Sequence, residues 1–152
     1  MNNTPNTTEN QIQQNCITLL SGKASKDEFN IDFLTQEDNV KYRDGKTSSV
    51  LFKGVMRERL KAINSFSYKG LDYPFSPASI EKAIEDLNVS LNEGLSIANE
   101  KITDKLLLGT SYEENLSDNT KKSFSFKYID FDNLENNHFH LTEEFTVDRV
   151  NQ

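Results

Sequence analysis

Asp44-Gly45-Lys46 is the only acid-x-lysine triplet in the sequence. Metal-dependent nucleases pair such a triplet with a second acid: two carboxylates hold a divalent ion, the ion activates water, and the lysine supports the attacking group or the phosphate. That chemistry needs the triplet on a rigid strand, whereas Asp-Gly reads as a tight turn. The overlapping run "DGKTSS" ends like a phosphate loop, but such a loop requires a glycine five positions before Gly45, where Val40 stands. A turn is the better reading of both.

His138 and His140 are two apart, so on a strand they project to the same side, with Glu144 farther along that face. Two imidazoles and a carboxylate are metal-ligand types. No tight motif places a third ligand beside the pair, so the expectation is an exposed strand face and no metal site. Glu100, in "IANEKITDKL", lies one residue from the expected core stripe of a helix; the ordinary reading is a solvated acid near Lys101 or Lys105. Lys53, Arg57 and Lys61 form an i, i+4, i+8 stripe. Such a run is ordinarily a solvated outer face, and its functional reading is contact with DNA phosphates or an acidic partner. Cys16 stands alone among Ile12, Ile17 and Leu20, which excludes an internal disulfide or thiolate cage and predicts a packed thiol.

The elements that must carry these residues follow from periodicity. Thr8 and Gln11 have capping-box spacing ahead of a first helix with Ile12, Cys16, Leu19 and Leu20 along one side and Gly22 as its stop. Residues 23–47 are polar apart from an apolar island at Phe29, Ile31, Phe33 and Leu34, a loop with a brief strand. A second helix fits 48–63, with Phe52, Val55, Met56, Leu60 and Ile63 inward. "NSFSYKGLDYPFSP" reads as a linker whose aromatic rings anchor it to the core. Ser76 caps and Pro77 opens a third helix burying Ile80, Ala83, Ile84 and Leu87. A fourth runs from about Ser90 to Leu108, interrupted by Gly94 and stopped by Gly109, with Ile97 or Ala98, Ile102, Lys105, Leu106 and Leu108 as its inner stripe. "TSYEENLSDNTKK" is a polar excursion. "SFSFKYIDF" and "HFHLTEEFTV" around "DNLENN" predict a closing antiparallel hairpin. Helices first and a hairpin last make the fold class α+β.

Composition sets the bounds. At 152 residues with 35% hydrophobic content, the chain has room for one domain with a modest core and some loosely held segments, residues 1–10 among them as a disordered terminus. The opening "MNNTPNTTEN" lacks a secretory signal's cationic start and apolar run, and no stretch approaches the ~20 apolar residues of a membrane span, so a cytoplasmic, membrane-free protein is expected. The net charge of −7 opposes general nucleic-acid coating, yet residues 41–61 hold seven bases against Asp44 and Glu58.

The pieces "VLFKGVMRERLKAIN", "NEKITDKLLLG" and "KYIDFDNLENNHFHLTEEFTVDR" resemble the amino-terminal nuclease region of type I restriction enzyme R subunits. The resemblance spans roughly residues 48–149 and is firmest over 97–149; "IDFDNLENNHFHLTEEF" is its specific element. Where many members have glutamine before the phenylalanine, this chain has Glu144. The resemblance implies that residues 11–149 form the incomplete front part of a restriction-endonuclease-like α/β domain. It also implies restriction of foreign DNA by an intact enzyme that uses Mg2+ and ATP alongside modification and specificity subunits. In that family the last strand leads to Arg-Pro-Asp and a Glu-x-Lys strand. Neither a Pro-Asp pair nor Glu-x-Lys occurs here. The catalytic residues are therefore expected beyond Gln152, with Glu100 the one candidate within the chain, and the chain alone is expected to hold no cofactor and cut no DNA. A rival expectation is a stand-alone interaction module that docks on restriction subunits, or self-associates, through the open edge of its terminal hairpin. A second rival is an accessory that touches DNA through Lys53, Arg57 and Lys61.

Overall fold

The computed structural model describes residues 8–21, 31–43, 45–90, 92, 94–143 and 145–148. Gly22, Phe29, Asp44 and Glu144, named above, lie outside them. The element order is α1 (Glu9–Leu20), β1 (Asp32–Leu34), α2 (Gln36–Tyr42), α3 (Lys53–Ile63), β2 (Ser65–Tyr68), β3 (Leu71–Pro74), α4 (Pro77–Glu85), α5 (Leu95–Leu108), β4 (Thr110–Asn115), β5 (Lys121–Phe126), a 3-10 turn (Leu134–Asn136) and β6 (His140–Thr142). The class is α+β. The chain forms two compact units: Met1–Val50 with His138–Gln152, and Leu51–Asn137.

In the first unit, α1 opens on the expected capping box: Gln11 N–H donates to Thr8 Oγ1 (3.4 Å) and Thr8 N–H to Gln11 Oε1 (2.9 Å). Its buried side is one residue round from the expected stripe, about 100° on a helix. Ile17 is buried, while Ile12, Leu19 and Cys16 are exposed, so the packed-thiol expectation is corrected. The apolar island does give a short strand, and behind it lies a helix the sequence reading missed. Thr35 and Asp38 form a second capping box that starts α2. β1 pairs in parallel with β6, in the register Asp32↔His140, Phe33↔Leu141, Leu34↔Thr142. Parallel strands need a crossover, and here residues 35–139, which include the whole second unit, supply it.

This pairing corrects the closing hairpin. β5 pairs antiparallel with β4, not with β6, and the "polar excursion" is that hairpin's other strand. Alternation put Tyr112, Glu114 and Leu116 on one buried face, but a buried glutamate disguised it as polar. The turn is built from "SDN": Asn119 takes φ 61, and Asp118 accepts from Thr120 N–H (3.2 Å) and Oγ1–H (2.6 Å). β6 has three residues, and Phe139, Phe145 and Val147 are exposed. Docking or self-association through a terminal hairpin edge thus loses its element.

The second unit holds the larger core. "NSFSYKGLDYP" is a β2–β3 hairpin rather than a linker, turning through Lys69 (φ 51) and Gly70 (φ 79) as a mirror-image turn demands. Its rings do anchor it: Phe66 and Phe75 are buried, and Phe66 stacks on Phe124 with centroids 4.2 Å apart. α3 starts at Lys53, after a turn at Thr47 and Ser48 and an irregular stretch through Leu51. α4 is as expected, capped by Ser76 with Ile80, Ala83 and Ile84 essentially inaccessible. α5 begins after Gly94 (φ 96), which bounds the helix instead of interrupting it. Ala98 is buried, but Leu108 is 82% exposed and not in the core. Gly109 (φ 70) lets this helix end against β5, where an added Cβ would sit 2.4 Å from the Phe126 carbonyl oxygen. Phe126 occupies the centre, met edge-on by Phe75 and Tyr112 (both 5.1 Å) and Tyr128 (5.7 Å).

Candidate functional site

The residues singled out from the sequence do not gather into one centre. Lys53 lies exposed at the start of α3. Arg57 is forked onto Glu81 of α4, with Nη2–Oε2 at 3.0 Å, and its guanidinium holds the Glu81 carboxyl below its usual range. Lys61 sits 3.4 Å from Glu58 on its own helix. Two of the three cations are thus already paired, within a basic tract that the division at Val50 splits. The tract loses another cation to burial: Arg43 is 4% exposed and belongs to the interior of the first unit. Glu100 is exposed on α5, and Lys105, its expected neighbour, stands 3.9 Å from Asp86.

The polar groups that the second unit does bury serve its own backbone. Glu114, 6% exposed, accepts from Ser76 N–H and Oγ–H (both 3.0 Å), tying β4 to the start of α4. Asn64 takes both backbone groups of Lys127, donating to its carbonyl and accepting from its N–H (2.8 Å each). Tyr112 donates to Asp86 (2.9 Å), and its hydroxyl lies 2.9 Å from that of Tyr128, which donates to the Ala83 carbonyl (2.9 Å). Burial, then the neighbouring Tyr128 and Asp86, push the Tyr112 hydroxyl well above the ordinary tyrosine range. Burial opposes ionisation of Asp86, yet Tyr112, Lys82 and Lys105 together hold its carboxyl below its ordinary value.

Asp130 organises the run "IDFDNLENN". Its carboxylate, 2% exposed, accepts from Asn133 N–H (3.2 Å), Asn136 Nδ2–H (2.9 Å) and Lys127 Nζ (2.9 Å). Asn137 brackets its backbone, accepting from Asp130 N–H and donating to Asp130 C=O (2.8 Å each). The "DNLENN" loop is as expected, but it begins earlier than the alternation suggested: "IDF", taken as the end of a strand, already belongs to a loop closed on one carboxylate. Asn136 first, and Lys127 with it, bring the Asp130 carboxyl down to about 2 from an ordinary 3.8. A folded value below the unfolded one stabilises above the ordinary value, and the benefit is lost as pH falls through the folded one. Asp130→Asn should accordingly lower the thermal unfolding midpoint near neutrality. The gap from the parent should close between about pH 4 and pH 2, as circular dichroism melts across that range will show.

In the first unit the β1–β6 register adds what the sequence could not. Asp32 N–H donates to Phe139 C=O (3.2 Å), placing Asp32 opposite His140. Asp32 Oδ2 lies 2.5 Å from His138 Nε2, and the two imidazole centroids are 4.5 Å apart. One ligand atom from each of Asp32, His138 and His140 falls within 4.8 Å of the others. Asp32 was missed because its neighbours are more than a hundred residues away, and only strand pairing reveals them.

The fold and these centres define an α+β domain whose polar interior, in its larger unit, braces loops and helix starts. Residues 6–152 match the family model for the type I restriction enzyme R protein N terminus, and the chain belongs to that family. No curated protein and no solved structure matches it. Membership sets the chain in the context of a restriction–modification complex. Among the described residues no helix is long and apolar enough to cross a membrane.

Proposed function

We propose that this chain is the front part of a restriction R subunit acting in the cytoplasm. In its intact form ATP-driven translocation along DNA precedes Mg2+-dependent double-strand cleavage. The present residues brace the nuclease core without forming it. The carrying observation is the use to which the second unit puts its acids: Glu114 and Asp130 are consumed by hydrogen bonds from the unit's own groups, and Glu100 stands exposed. Mg2+ dehydrates reluctantly and is held where carboxylates converge on rigid elements. Glu100, Glu114 and Asp130 do not fit it. ATP finds no phosphate loop either, because Val40 stands where the glycine is needed. DNA contact, in this reading, falls to Lys53 and Lys61 with whatever Arg57 retains beside Glu81, and amounts to salt-sensitive phosphate binding.

The test is direct. Purified chain incubated with supercoiled plasmid, Mg2+ and ATP should leave the plasmid supercoiled. Reproducible nicking or linearisation that a chelator abolishes would overturn the reading.

A further inference from the structure

We infer that Asp32, His138 and His140 form a binding site for a zinc-class divalent ion that staples β6 to β1. This inference stands apart from the restriction reading, since it rests only on the first unit's own pairing. Three features carry it. His138 and His140 are separated by one residue, and their imidazoles lie side by side where the chain enters β6, with centroids 4.5 Å apart. The parallel register, fixed by Asp32 N–H on Phe139 C=O, sets the Asp32 carboxylate beside them. And one donor atom from each residue already lies within 4.8 Å of the other two.

The donor set selects the ion. Two imidazole nitrogens and one carboxylate oxygen suit Zn2+, Co2+ or Ni2+, whereas Mg2+ and Ca2+ take oxygen. Ligands on a tetrahedral ion at ~2.0–2.1 Å stand about 3.3 Å apart. The Asp32–His138 pair at 2.5 Å need open only slightly, and the remaining separations need to close by at most about 1.5 Å. Asp32 and His138 are exposed and His140 half-buried, so side-chain rotation can supply these shifts and water the fourth ligand. Because Asp32 lies more than a hundred residues from the two histidines, the ion would stabilise the folded first unit by mass action.

The experiment is calorimetric titration of tag-free full chain with ZnCl2, in a Cys16→Ser background that removes the one thiol. The expected result is saturable binding of one ion per chain, unaffected by a large excess of Mg2+. His140→Gln should weaken it about 100-fold and Asp32→Asn about tenfold or more. Co2+ should give the visible absorption of a four-coordinate ion, lost in His138→Gln. Circular dichroism of each variant separates lost binding from lost fold; these side chains are exposed or half-buried, and the variants should keep the parent spectrum. Absence of saturable zinc binding, or binding that survives His138→Gln/His140→Gln unchanged, overturns the site.

Discussion

Phe126→Ala should destabilise the 51–137 unit by about 3–5 kcal/mol. Phe126 is 2% exposed and touches the core from β5, with three aromatic rings presenting edges to it at 5.1–5.7 Å. Those rings come from three different parts of the unit: Phe75 just before α4, Tyr112 on β4, and Tyr128 just after β5. None can follow a shrinking side chain freely. Tyr112 and Tyr128 are held by hydrogen bonds to Asp86 and Ala83, so a cavity remains and its cost adds to the lost burial. Phe131, 52% exposed in the next loop, is the matched control, and Phe131→Ala should move stability by no more than about 0.5 kcal/mol. Urea unfolding followed by circular dichroism measures both. Equal effects from the two substitutions would mean that Phe126 is not the centre of this core.

Arg43→Met should cost the first unit about 2–4 kcal/mol, though it keeps an apolar stem of similar length. The Arg43 guanidinium donates from Nε to Asn39 C=O (3.1 Å), and from Nη1 to Thr146 C=O (2.6 Å) and Thr47 C=O (3.1 Å), with Ser49 C=O at 3.5 Å. Its face lies 4.4 Å over the Phe145 ring. One cation thus gathers the end of α2, the turn after it and the segment beyond β6. Removing it takes one donor from each of these carbonyls in a place where the side chain was 4% exposed. Amide exchange gives the local reading: Asp148 N–H, bonded to Thr47 C=O at 3.3 Å, should lose protection in Arg43→Met and keep it in the exposed Arg59→Met. Unchanged exchange at Asp148 would show that the clamp is not needed.

Much of the fold was legible wherever a local rule decides. Thr8 with Gln11, Ser76 with Pro77 and the helical spacing of Ile80, Ala83 and Ile84 each announce a helix start or face through neighbours three or four residues away. Failures arose where a distant partner changes what a residue means. Glu114 reads as polar and outward, yet Ser76 makes it an inward bond that lets β4 form. The alternation in "HFHLTEEFTV" is real, but β1, not β5, claims its middle. Arg43 counts as surface charge until three segments fold over it. The candidate site followed the same pattern: His138 and His140 could be seen together, and Asp32 could not. The resemblance was most specific at "IDFDNLENNHFHLTEEF", whose "IDF" was read as the end of a strand and "DNLENN" as the loop after it. Asp130, from the supposed strand, and Asn137, from the expected loop, are the two ends of one hydrogen-bonded loop.

In the proposed function Glu114 and Asp130 support the fold of the 51–137 unit, and neither they nor Glu100 hold a nuclease metal. Mn2+, a paramagnetic stand-in for Mg2+, tests it by selective broadening of backbone amide signals during titration of the intact chain. Amides near Glu100, Glu114 and Asp130 should show no saturable broadening, while a chelator-reversible loss of signal centred on any of those three residues at submillimolar ion would contradict it.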